Sequence, residues 1–260
     1  YTKKILLKFM KKNNNLIITG GATRVGKAIA LHFAKNGWNI AIHYFKSYQE
    51  AQKLKNLIIK KFSVKVIIIK ANLINKKQVE KIIPLAKKKL GMINCLINNA
   101  ALFERDDILN FTNKSWNNHL NINLLAPVIL IRQFVKQTSN KNISNIINII
   151  DKRVFKLTPI FMSYTLSKSA LYTLTKTMAM RLAPNIKVNG IAPGPTLKSK
   201  RQSKKHFKKQ ASSTLIKKPV QLKDICDTVE YLINNQSMTG QVIAVDSGQN
   251  LSWKISDEKE

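Results

Sequence analysis

The feature that most constrains the fold is a regular alternation of short apolar runs, rich in β-branched residues, with longer segments of helical period. The runs predict seven strands, at Leu16 to Thr19, Asn39 to His43, Val64 to Ile69, Asn94 to Ile97, Asn145 to Ile150, Lys187 to Ile191 and Val242 to Val245. The intervening segments predict helices near Val25 to Asn36, Gln49 to Lys61, Lys76 to Leu90, Trp116 to Gln137, Ser163 to Arg181 and Lys223 to Asn234. Because such alternation produces βαβ units, we expect an α/β fold with one doubly wound parallel sheet.

Two features interrupt this pattern. Pro84 and Pro127 fall inside predicted helices, where each proline is expected to kink the helix or to shift its boundary. The Lys-rich stretch from Lys198 to Lys218 has no clean period, and it follows a Pro-Gly-Pro turn. It is expected to be a long, mobile segment over one rim of the sheet, either a lid or an ordinary solvated insertion.

The chain has 260 residues, 44% of them hydrophobic, which is enough for one core. We expect a single domain over residues 15–253, preceded by a basic leader (1–14) and followed by a tail (254–260). Met10 is expected to be the natural start, with the residues before it arising from upstream read-through. No apolar run approaches the roughly 18 residues of a membrane span. Cys95 and Cys226 lie in apolar surroundings far apart in sequence, so neither a disulfide nor a metal site is expected, and the compartment is expected to be the reducing cytoplasm.

The formal net charge of +32 has two interpretations, affinity for polyanions or a drift of solvated surfaces toward lysine. The basic residues are scattered over the whole chain, and only six of the 45 are arginine. Arginine is favoured over lysine for hydrogen bonds to bases and for bidentate hydrogen bonds to phosphates, so no specific nucleic-acid partner is expected.

A glycine-containing segment from Thr19 to Gly26 leaves the first predicted strand and opens the first predicted helix. The absence of a Cβ at Gly20 and Gly26 lets a pyrophosphate approach the helix N-terminus, where unpaired N–H groups and the helix dipole favour anions. The position of this turn at the front of a βαβ unit therefore predicts a Rossmann-type nucleotide-binding site.

The end of the second strand indicates which dinucleotide is bound. Sites that prefer NAD usually carry an acidic residue about 20 residues after the glycines. Here Tyr44 precedes Lys46 and Ser47, and no carboxylate occurs before Glu50. A 2′-phosphate would meet a cation and a hydroxyl, and Arg24 is a further candidate, so NADPH is predicted. The alternative is that Lys46 is one more surface lysine.

Tyr164 and Lys168 stand at positions i and i+4 and therefore project from one face of a helix. A tyrosine, with a pKa of about 10, is a poor proton donor until a nearby ammonium stabilises its phenolate. Tyr172 and Lys176 repeat the spacing, but eight residues at about 100° each turn this second pair off that face. We therefore predict that Tyr164 and Lys168 are catalytic and that Tyr172 is a packing residue.

From about Leu16 to Leu251 the sequence resembles the short-chain dehydrogenase/reductase family. The matching motifs are the glycine turn, Asn98-Asn99-Ala100, Asn123 seven residues after Trp116, Tyr164-x-x-x-Lys168, Pro193-Gly194 and Thr239-Gly240. The resemblance implies that Tyr164 is the general acid, that Lys168 lowers its pKa and holds the nicotinamide ribose, and that Asn123 anchors a proton-relay water. It also implies a homotetramer and a small-molecule substrate. The residues expected to bind the cofactor are Gly20, Arg24, Val25, Gly26, Tyr44, Lys46, Ser47, Asn72, Leu73, Asn99, Ala100, Lys168, Pro193 and Gly194.

Two departures from the common family pattern resemble the pteridine reductase and dihydromonapterin reductase branch. Arg24 replaces the middle glycine, and Asp151 replaces the catalytic serine 13 residues before Tyr164. The branch implies that Asp151 helps to organise a proton for a ring nitrogen and that Phe103 stacks on a pterin. A flat heteroaromatic ring suits an aromatic platform, and its N–H groups suit a carboxylate.

Alternatives remain open for this substrate. Asp151 alternatively caps or salt-bridges a strand end, and Phe103 alternatively belongs to the core. Other positions also depart from the branch, because Ala101 and Leu102 stand where hydroxyl residues are common. Further departures are Asn72 in place of an acid often paired with adenine, and Ser247 in place of a frequent glycine. A reductase of another carbonyl or 3-oxoacyl substrate is the alternative function, and a non-catalytic nucleic-acid-binding protein is a remote one.

Overall fold

Seven parallel strands form the centre of the computed structural model, which describes residues 14–138, 143–199 and 201–252. The strands are β1 (Asn15–Ile18), β2 (Asn39–Tyr44), β3 (Val66–Lys70), β4 (Cys95–Asn98), β5 (Ser144–Ile149), β6 (Ile186–Pro193) and β7 (Val242–Val245). Their order in the sheet is β3-β2-β1-β4-β5-β6-β7, and every neighbouring pair is parallel. The predicted fold class, a doubly wound α/β sheet of the Rossmann type, is confirmed.

Helices cover both faces of the sheet, as a fully parallel sheet requires. They are α1 (Arg24–Lys35), α2 (Tyr48–Lys61), α3 (Lys76–Leu90), α4 (Asn113–Leu120), α5 (Ala126–Gln137), α6 (Met162–Leu182), α7 (Lys204–Ser212) and α8 (Leu222–Asn234). Leu16 and Ile18 of β1 pack into the cluster on one face of the sheet, whereas Ile17 packs into the cluster on the other. Both faces of the central strands are therefore buried, which explains their continuous apolar runs.

The predicted helix from Trp116 to Gln137 is wrong in two respects. The helical segment begins earlier, because Thr112 accepts a hydrogen bond from the Ser115 N–H (3.0 Å) and Ser115 caps Thr112 in return. A π-helical turn, Asn121–Leu125, then separates α4 from α5. Pro127 lies in the first turn of α5, where a helix tolerates proline, while Pro84 stays inside α3.

Two further expectations need correction. The third strand was expected from Val64, but the Val64 N–H bonds to Phe62 O (2.9 Å), so pairing with β2 starts at Val66. The expectation of irregular structure from Lys198 to Lys218 is wrong, because the stretch contains α7. Ser203 caps this helix by accepting a hydrogen bond from the His206 N–H (3.0 Å). That the stretch acts as a lid stays a prediction.

Several expectations fall on residues about which the structure says little. The predicted leader, including Met10, lies outside the described residues except for Asn14, as does the tail from 254 to 260.

Cys95 and Cys226 are both buried free thiols. Among the residues that the structure describes, no helix is long and apolar enough to cross a bilayer.

The topology brings four loops to one edge of the sheet. β1 and β4 are neighbours, and the chain builds the sheet outward from them in opposite directions. Ligands of open α/β sheets bind at such a switch point, beyond the carboxyl ends of the strands. The segments that follow β1, β4, β5 and β6 there carry Gly20, Asn99, Asp151 and Gly194.

Candidate active site

A cavity of about 430 Å³ opens at this switch point. Its wall runs from the glycine turn after β1, past the loops after β4 and β5, to α6 and α7. The predicted site residues that line it are Gly20, Arg24, Val25, Gly26, Asn99, Ala100, Phe103, Asp151, Tyr164, Lys168, Pro193 and Gly194. One cavity therefore joins the predicted phosphate-binding turn to the predicted catalytic pair.

The glycine turn is held by contacts that leave no room for side chains. Gly20 has a left-handed backbone (φ +60), and a Cβ on Gly26 would lie 2.4 Å from Gly20 O. The Thr19 hydroxyl accepts hydrogen bonds from the Asn99 and Ala100 N–H groups (2.9 and 3.0 Å). The Asn99 amide in turn donates to Thr19 O (2.8 Å). The first helix is thereby fixed with its N-terminus toward the cavity.

His43 supports the same turn and was missed by the sequence analysis. Its buried imidazole accepts a hydrogen bond from the Gly20 N–H through Nδ1 (3.2 Å), and its Nε2 donates to Ala71 O (3.1 Å). Burial lowers the pKa of His43 to about 4, so the ring stays neutral at physiological pH. Nothing in the sequence marks this histidine, because its partners are backbone groups distant in the chain.

Arg24 closes one side of the cavity. Its backbone is left-handed (φ +52), and its guanidinium donates to Leu197 O (3.0 Å) and Lys198 O (2.9 Å). Arg24 thus ties the glycine turn to the segment that follows Gly194. Its contact with a cofactor 2′-phosphate stays a prediction.

Five predicted cofactor residues lie outside the lining of this cavity. Tyr44 is buried at the end of β2, Leu73 is buried in the turn that follows β3, Lys46 is exposed, and Ser47 precedes α2. Asn72 organises its own loop, because its Oδ1 accepts a hydrogen bond from the Ile74 N–H (3.1 Å). A second depression of about 310 Å³ borders Arg24 between α1 and α2, and its lining includes two lysines that the sequence analysis did not single out, Lys27 and Lys53.

Three of the four predicted catalytic residues, Asp151, Tyr164 and Lys168, line the cavity, whereas Asn123 is fully buried and is not part of its lining. The Tyr164 hydroxyl donates to Asp151 Oδ2 (2.8 Å). The other carboxylate oxygen accepts a hydrogen bond from the Arg153 N–H (2.9 Å) and lies 3.7 Å from Arg153 Nη1. Asp151 therefore does cap a strand-end turn and pair with a cation, as the alternative interpretation expected, and it contacts Tyr164 as well.

Lys168 lies buried one helical turn after Tyr164. Its Nζ donates to Ile149 O (2.7 Å) and lies 5.9 Å from the centre of the Tyr164 ring. Burial lowers the pKa of Lys168 to about 8, although the Asp151 carboxylate opposes that shift. Below that pH the ammonium places a positive charge beside Tyr164, which favours the phenolate that proton donation leaves.

Asn123 lies buried within the π-helical turn and joins two walls of the site. Its amide donates to Leu102 O (3.0 Å) and to Ser167 Oγ (3.0 Å), and its Oδ1 accepts a hydrogen bond from the Leu102 N–H (2.8 Å). The side chain thus fixes the loop after β4 against α6. Its predicted role with a relay water stays a prediction.

Phe103 lines the cavity and belongs to an aromatic group with Phe161 and Tyr164. Its ring stacks on Phe161 (centroids 4.5 Å apart, planes at 13°) and meets the Tyr164 ring edge-on (4.6 Å). Tyr172 lies elsewhere, against Phe155 (5.7 Å), and is not part of the cavity lining.

A buried polar cluster behind Tyr164 was also missed. Ser163 bonds to the Asp106 carboxylate and lies 2.6 Å from His119 Nδ1, while His119 Nε2 accepts a hydrogen bond from the Glu104 N–H (3.2 Å). Burial lowers the pKa of His119, so the imidazole is held neutral. The cluster fixes the loop that carries Phe103 to the start of α6.

The comparisons with known proteins agree with this geometry. A sequence model of the family described as enoyl-(acyl carrier protein) reductase matches residues 20–250. The 3-oxoacyl-[acyl-carrier-protein] reductase FabG of Staphylococcus epidermidis is 27% identical over 241 residues, which are 91% of this chain and 98% of that protein. The corresponding protein of Staphylococcus aureus is 27% identical over 246 residues.

Two solved structures are more similar in sequence. FolM alternative dihydrofolate reductase 1 from Brucella suis, in complex with NADP, is 40% identical, with a TM-score of 0.90 over 94% of this chain and 98% of that chain. The protein of the same name from Brucella canis, also with NADP, is 38% identical, with a TM-score of 0.88 over 95% and 98% of the two chains.

Proposed function

Since the chain belongs to the short-chain dehydrogenase/reductase family, we propose that it is an NADPH-dependent reductase whose substrate is a dihydropterin. Membership of the family makes it an oxidoreductase. The choice of a dihydropterin rests chiefly on one observation, the hydrogen bond from the Tyr164 hydroxyl to the Asp151 carboxylate (2.8 Å).

An ionised carboxylate at this place suits a C=N bond better than a ketone. Hydride transfer to a ketone develops an alkoxide, which the charge of Asp151 would repel. Hydride transfer to the carbon of a C=N bond instead leaves the electron pair on nitrogen, which must then be protonated. Tyr164 supplies that proton, and the Asp151 carboxylate accepts hydrogen bonds from the N–H groups of the ring.

The site fits a dinucleotide. The cavity joins the glycine turn to Lys168, and Gly26 is so closely packed that no other residue fits there. Gly20, Asn99 and Gly194 would hold the cofactor along the sheet edge, and Lys46 and Ser47 would contact its 2′-phosphate. When bound, the reduced nicotinamide supplies the hydride. The NADP complexes of the two Brucella proteins support this assignment.

The remaining residues orient the substrate and the proton donor. Lys168 stabilises the Tyr164 phenolate electrostatically after the proton has left. Phe103 offers one face as a platform for a flat heterocycle, since its other face is stacked on Phe161. Asn123 and the buried His119 cluster hold that platform against α6.

A 3-oxoacyl reductase is the second candidate, because the Staphylococcus FabG proteins match nearly the whole chain at 27% identity. Asp151 opposes this candidate for the electrostatic reason given above. The charge repulsion applies to any substrate whose oxygen becomes anionic during reduction.

An assay of NADPH oxidation distinguishes the two candidates. We expect turnover of 7,8-dihydrobiopterin and 7,8-dihydrofolate to exceed that of acetoacetyl-CoA, with Tyr164→Phe as the inactive control. NADPH should be preferred over NADH by about 10- to 100-fold in kcat/KM, which corresponds to one charge-assisted bond to the 2′-phosphate. Faster reduction of acetoacetyl-CoA would contradict the pterin assignment, and equal use of both cofactors would contradict the NADPH assignment.

The predicted homotetramer and cytoplasmic location belong to the same proposal. Sedimentation of the purified protein tests the first, and fractionation of the source cells tests the second.

A further inference from the structure

Two arginines lie beside the stacked rings of Phe103, which lines the cavity, and Phe161, which is fully buried. The guanidinium carbon of Arg153 lies 5.2 Å from the centre of Phe103 and 4.9 Å from that of Phe161. That of Arg201 lies 5.0 and 5.4 Å from the same two centres. Because each guanidinium is almost equally far from both stacked rings, each lies beside the pair rather than over one outer face.

The two arginines differ in burial and in their carboxylate neighbours. Arg153 is only 4% exposed, lines the cavity, and has the Asp151 carboxylate 3.7 Å from its Nη1. Arg201 is exposed and is not part of the cavity lining, and within residues 14–138, 143–199 and 201–252 no carboxylate oxygen lies within 4 Å of its guanidinium. Within these residues no carboxylate therefore neutralises the guanidinium of Arg201 at short range, and this group lies beside the same ring pair as Arg153, which lines the cavity.

We propose that the substrate carries an anionic substituent, a carboxylate or a phosphate, which Arg153 and Arg201 bind beside the ring that Phe103 supports. This inference rests on the proposed function, because it places the heterocycle on Phe103. Arg153 also pairs with Asp151, so its replacement is expected to affect proton delivery as well as specificity. Arg201 has no carboxylate within 4 Å among the described residues, and it is therefore the residue that tests specificity by itself.

The physical basis is the geometry of the guanidinium group. Its planar fork of donors matches two oxygens of a carboxylate or phosphate, and it stays charged at every physiological pH. The aromatic pair limits where the two forks can move, so less side-chain freedom is lost on binding. An exposed arginine is screened by water, so the contribution of Arg201 alone is expected to be roughly several-fold rather than several hundred-fold.

A matched pair of substrates tests the proposal. 7,8-Dihydroneopterin and its 3′-phosphate differ only in the anionic group, and 7,8-dihydrofolate provides the carboxylate. With NADPH, we expect a KM for the phosphate ester at least roughly tenfold below that of dihydroneopterin, which is the effect of one charge-assisted bond. Comparing the ester with dihydrofolate identifies which anion the site prefers.

Variants then assign the preference to residues. Arg201→Gln should reduce the preference for the anionic substrate at least about threefold, and Arg153→Gln should reduce it further. Arg181→Gln is the matched control, since it also removes one exposed arginine, in the last turn of α6, whereas the arginines that lie beside Phe103 among the described residues are Arg153 and Arg201. Because each preference is a ratio within one variant, a partial loss of folded protein cancels.

The outcomes separate this inference from the proposed function. Equal KM values for charged and uncharged substrates, or an equal effect of Arg181→Gln and Arg201→Gln, would overturn the anion site and leave the pterin reductase intact. Absence of turnover with all three pterins would overturn the proposed function, and the anion site with it.

Discussion

The Tyr164 hydroxyl donates a hydrogen bond to the Asp151 carboxylate at 2.8 Å, and both residues line the cavity that also contains the glycine turn. The two residues are 13 positions apart, one after β5 and the other in the first turn of α6. Lys168 lies beneath them, its ammonium held by Ile149 O. A hydroxyl, a carboxylate and an ammonium thus lie together, as the proposed proton transfer requires.

Replacing Asp151 tests the function of the carboxylate. Asp151→Ala should lower kcat for a dihydropterin by at least the roughly 10²-fold typical of a lost acid/base group, because Tyr164 loses its hydrogen-bond acceptor. The KM for NADPH should barely change. Steady-state kinetics measures both, and Asp151→Asn, which keeps the shape, should remain impaired. Full activity of Asp151→Asn would show that the charge is not needed.

Replacing tyrosine by phenylalanine should have opposite effects in the Tyr164/Lys168 pair and in the Tyr172/Lys176 pair. Tyr164→Phe should be at least as damaging as Asp151→Ala, because it removes the proton donor. Tyr172→Phe should be nearly silent, because that ring packs against Phe155 outside the cavity. Comparing kcat of the two variants measures the difference, and a large loss in Tyr172→Phe would contradict the assignment.

Lys168 predicts a limit to activity at high pH. Burial lowers its pKa to about 8, so the ammonium is present below that pH and is lost as the pH rises through it. The kcat/KM for NADPH, which reports the free enzyme, should therefore fall above about pH 8. In Lys168→Arg the positive charge persists at high pH, so the kcat/KM of this variant should not fall above about pH 8. If kcat/KM of Lys168→Arg falls at the same pH as that of the parent, the fall belongs to a group other than Lys168.

His43 predicts a loss of stability in acid. Its pKa of about 4 in the folded protein lies below the ordinary value of 6.5, so between these values the unfolded chain binds the proton first. The free energy of unfolding is therefore unaffected above pH 6.5 and falls by up to about 3 kcal/mol as the pH drops toward 4. Urea unfolding at several pH values measures this slope.

The control for that slope is His43→Gln, which keeps a polar side chain at the position but cannot titrate. The variant should be less stable at neutral pH, because glutamine does not reproduce both hydrogen bonds of His43, to the Gly20 N–H and to Ala71 O. Each buried group left without a partner costs about 1 to 3 kcal/mol. Its stability should vary less with pH between 4 and 6.5 than that of the parent. An unchanged slope would show that other groups dominate the acid response.

Much of the fold was predictable because the information is local. Each strand contains a short apolar run, interrupted in places by buried polar residues such as Asn148 and Asn189, and both faces of the sheet are covered. The sequence pattern and the burial therefore agree along β1, β2 and β4. The glycine turn was predictable for the same reason. Its short spacing, between a strand and a helix, is readable without any tertiary contact.

The differences arise where a single side chain or backbone bond overrides the pattern. The capping box of Thr112 and Ser115 begins a helix before its apolar stripe does, and a π-helical turn places Asn123 between two helices. α7 contains too few apolar residues for a helical period to be recognised in its sequence. The main local indication of this helix is its N-cap residue, Ser203. Periodicity detects none of these features.

The sequence by itself determined the order of strands and helices, the glycine turn and the Tyr164 and Lys168 pair, since each depends on neighbours within a few residues. Only the tertiary structure decided that His43 holds the glycine turn, that a neutral His119 holds the loop of Phe103, and that Arg153 and Arg201 flank one aromatic pair. The physical reason is that these contacts join residues on different elements. Their distances are set by how helices pack on a sheet, and this packing depends on the whole core rather than on any local pattern.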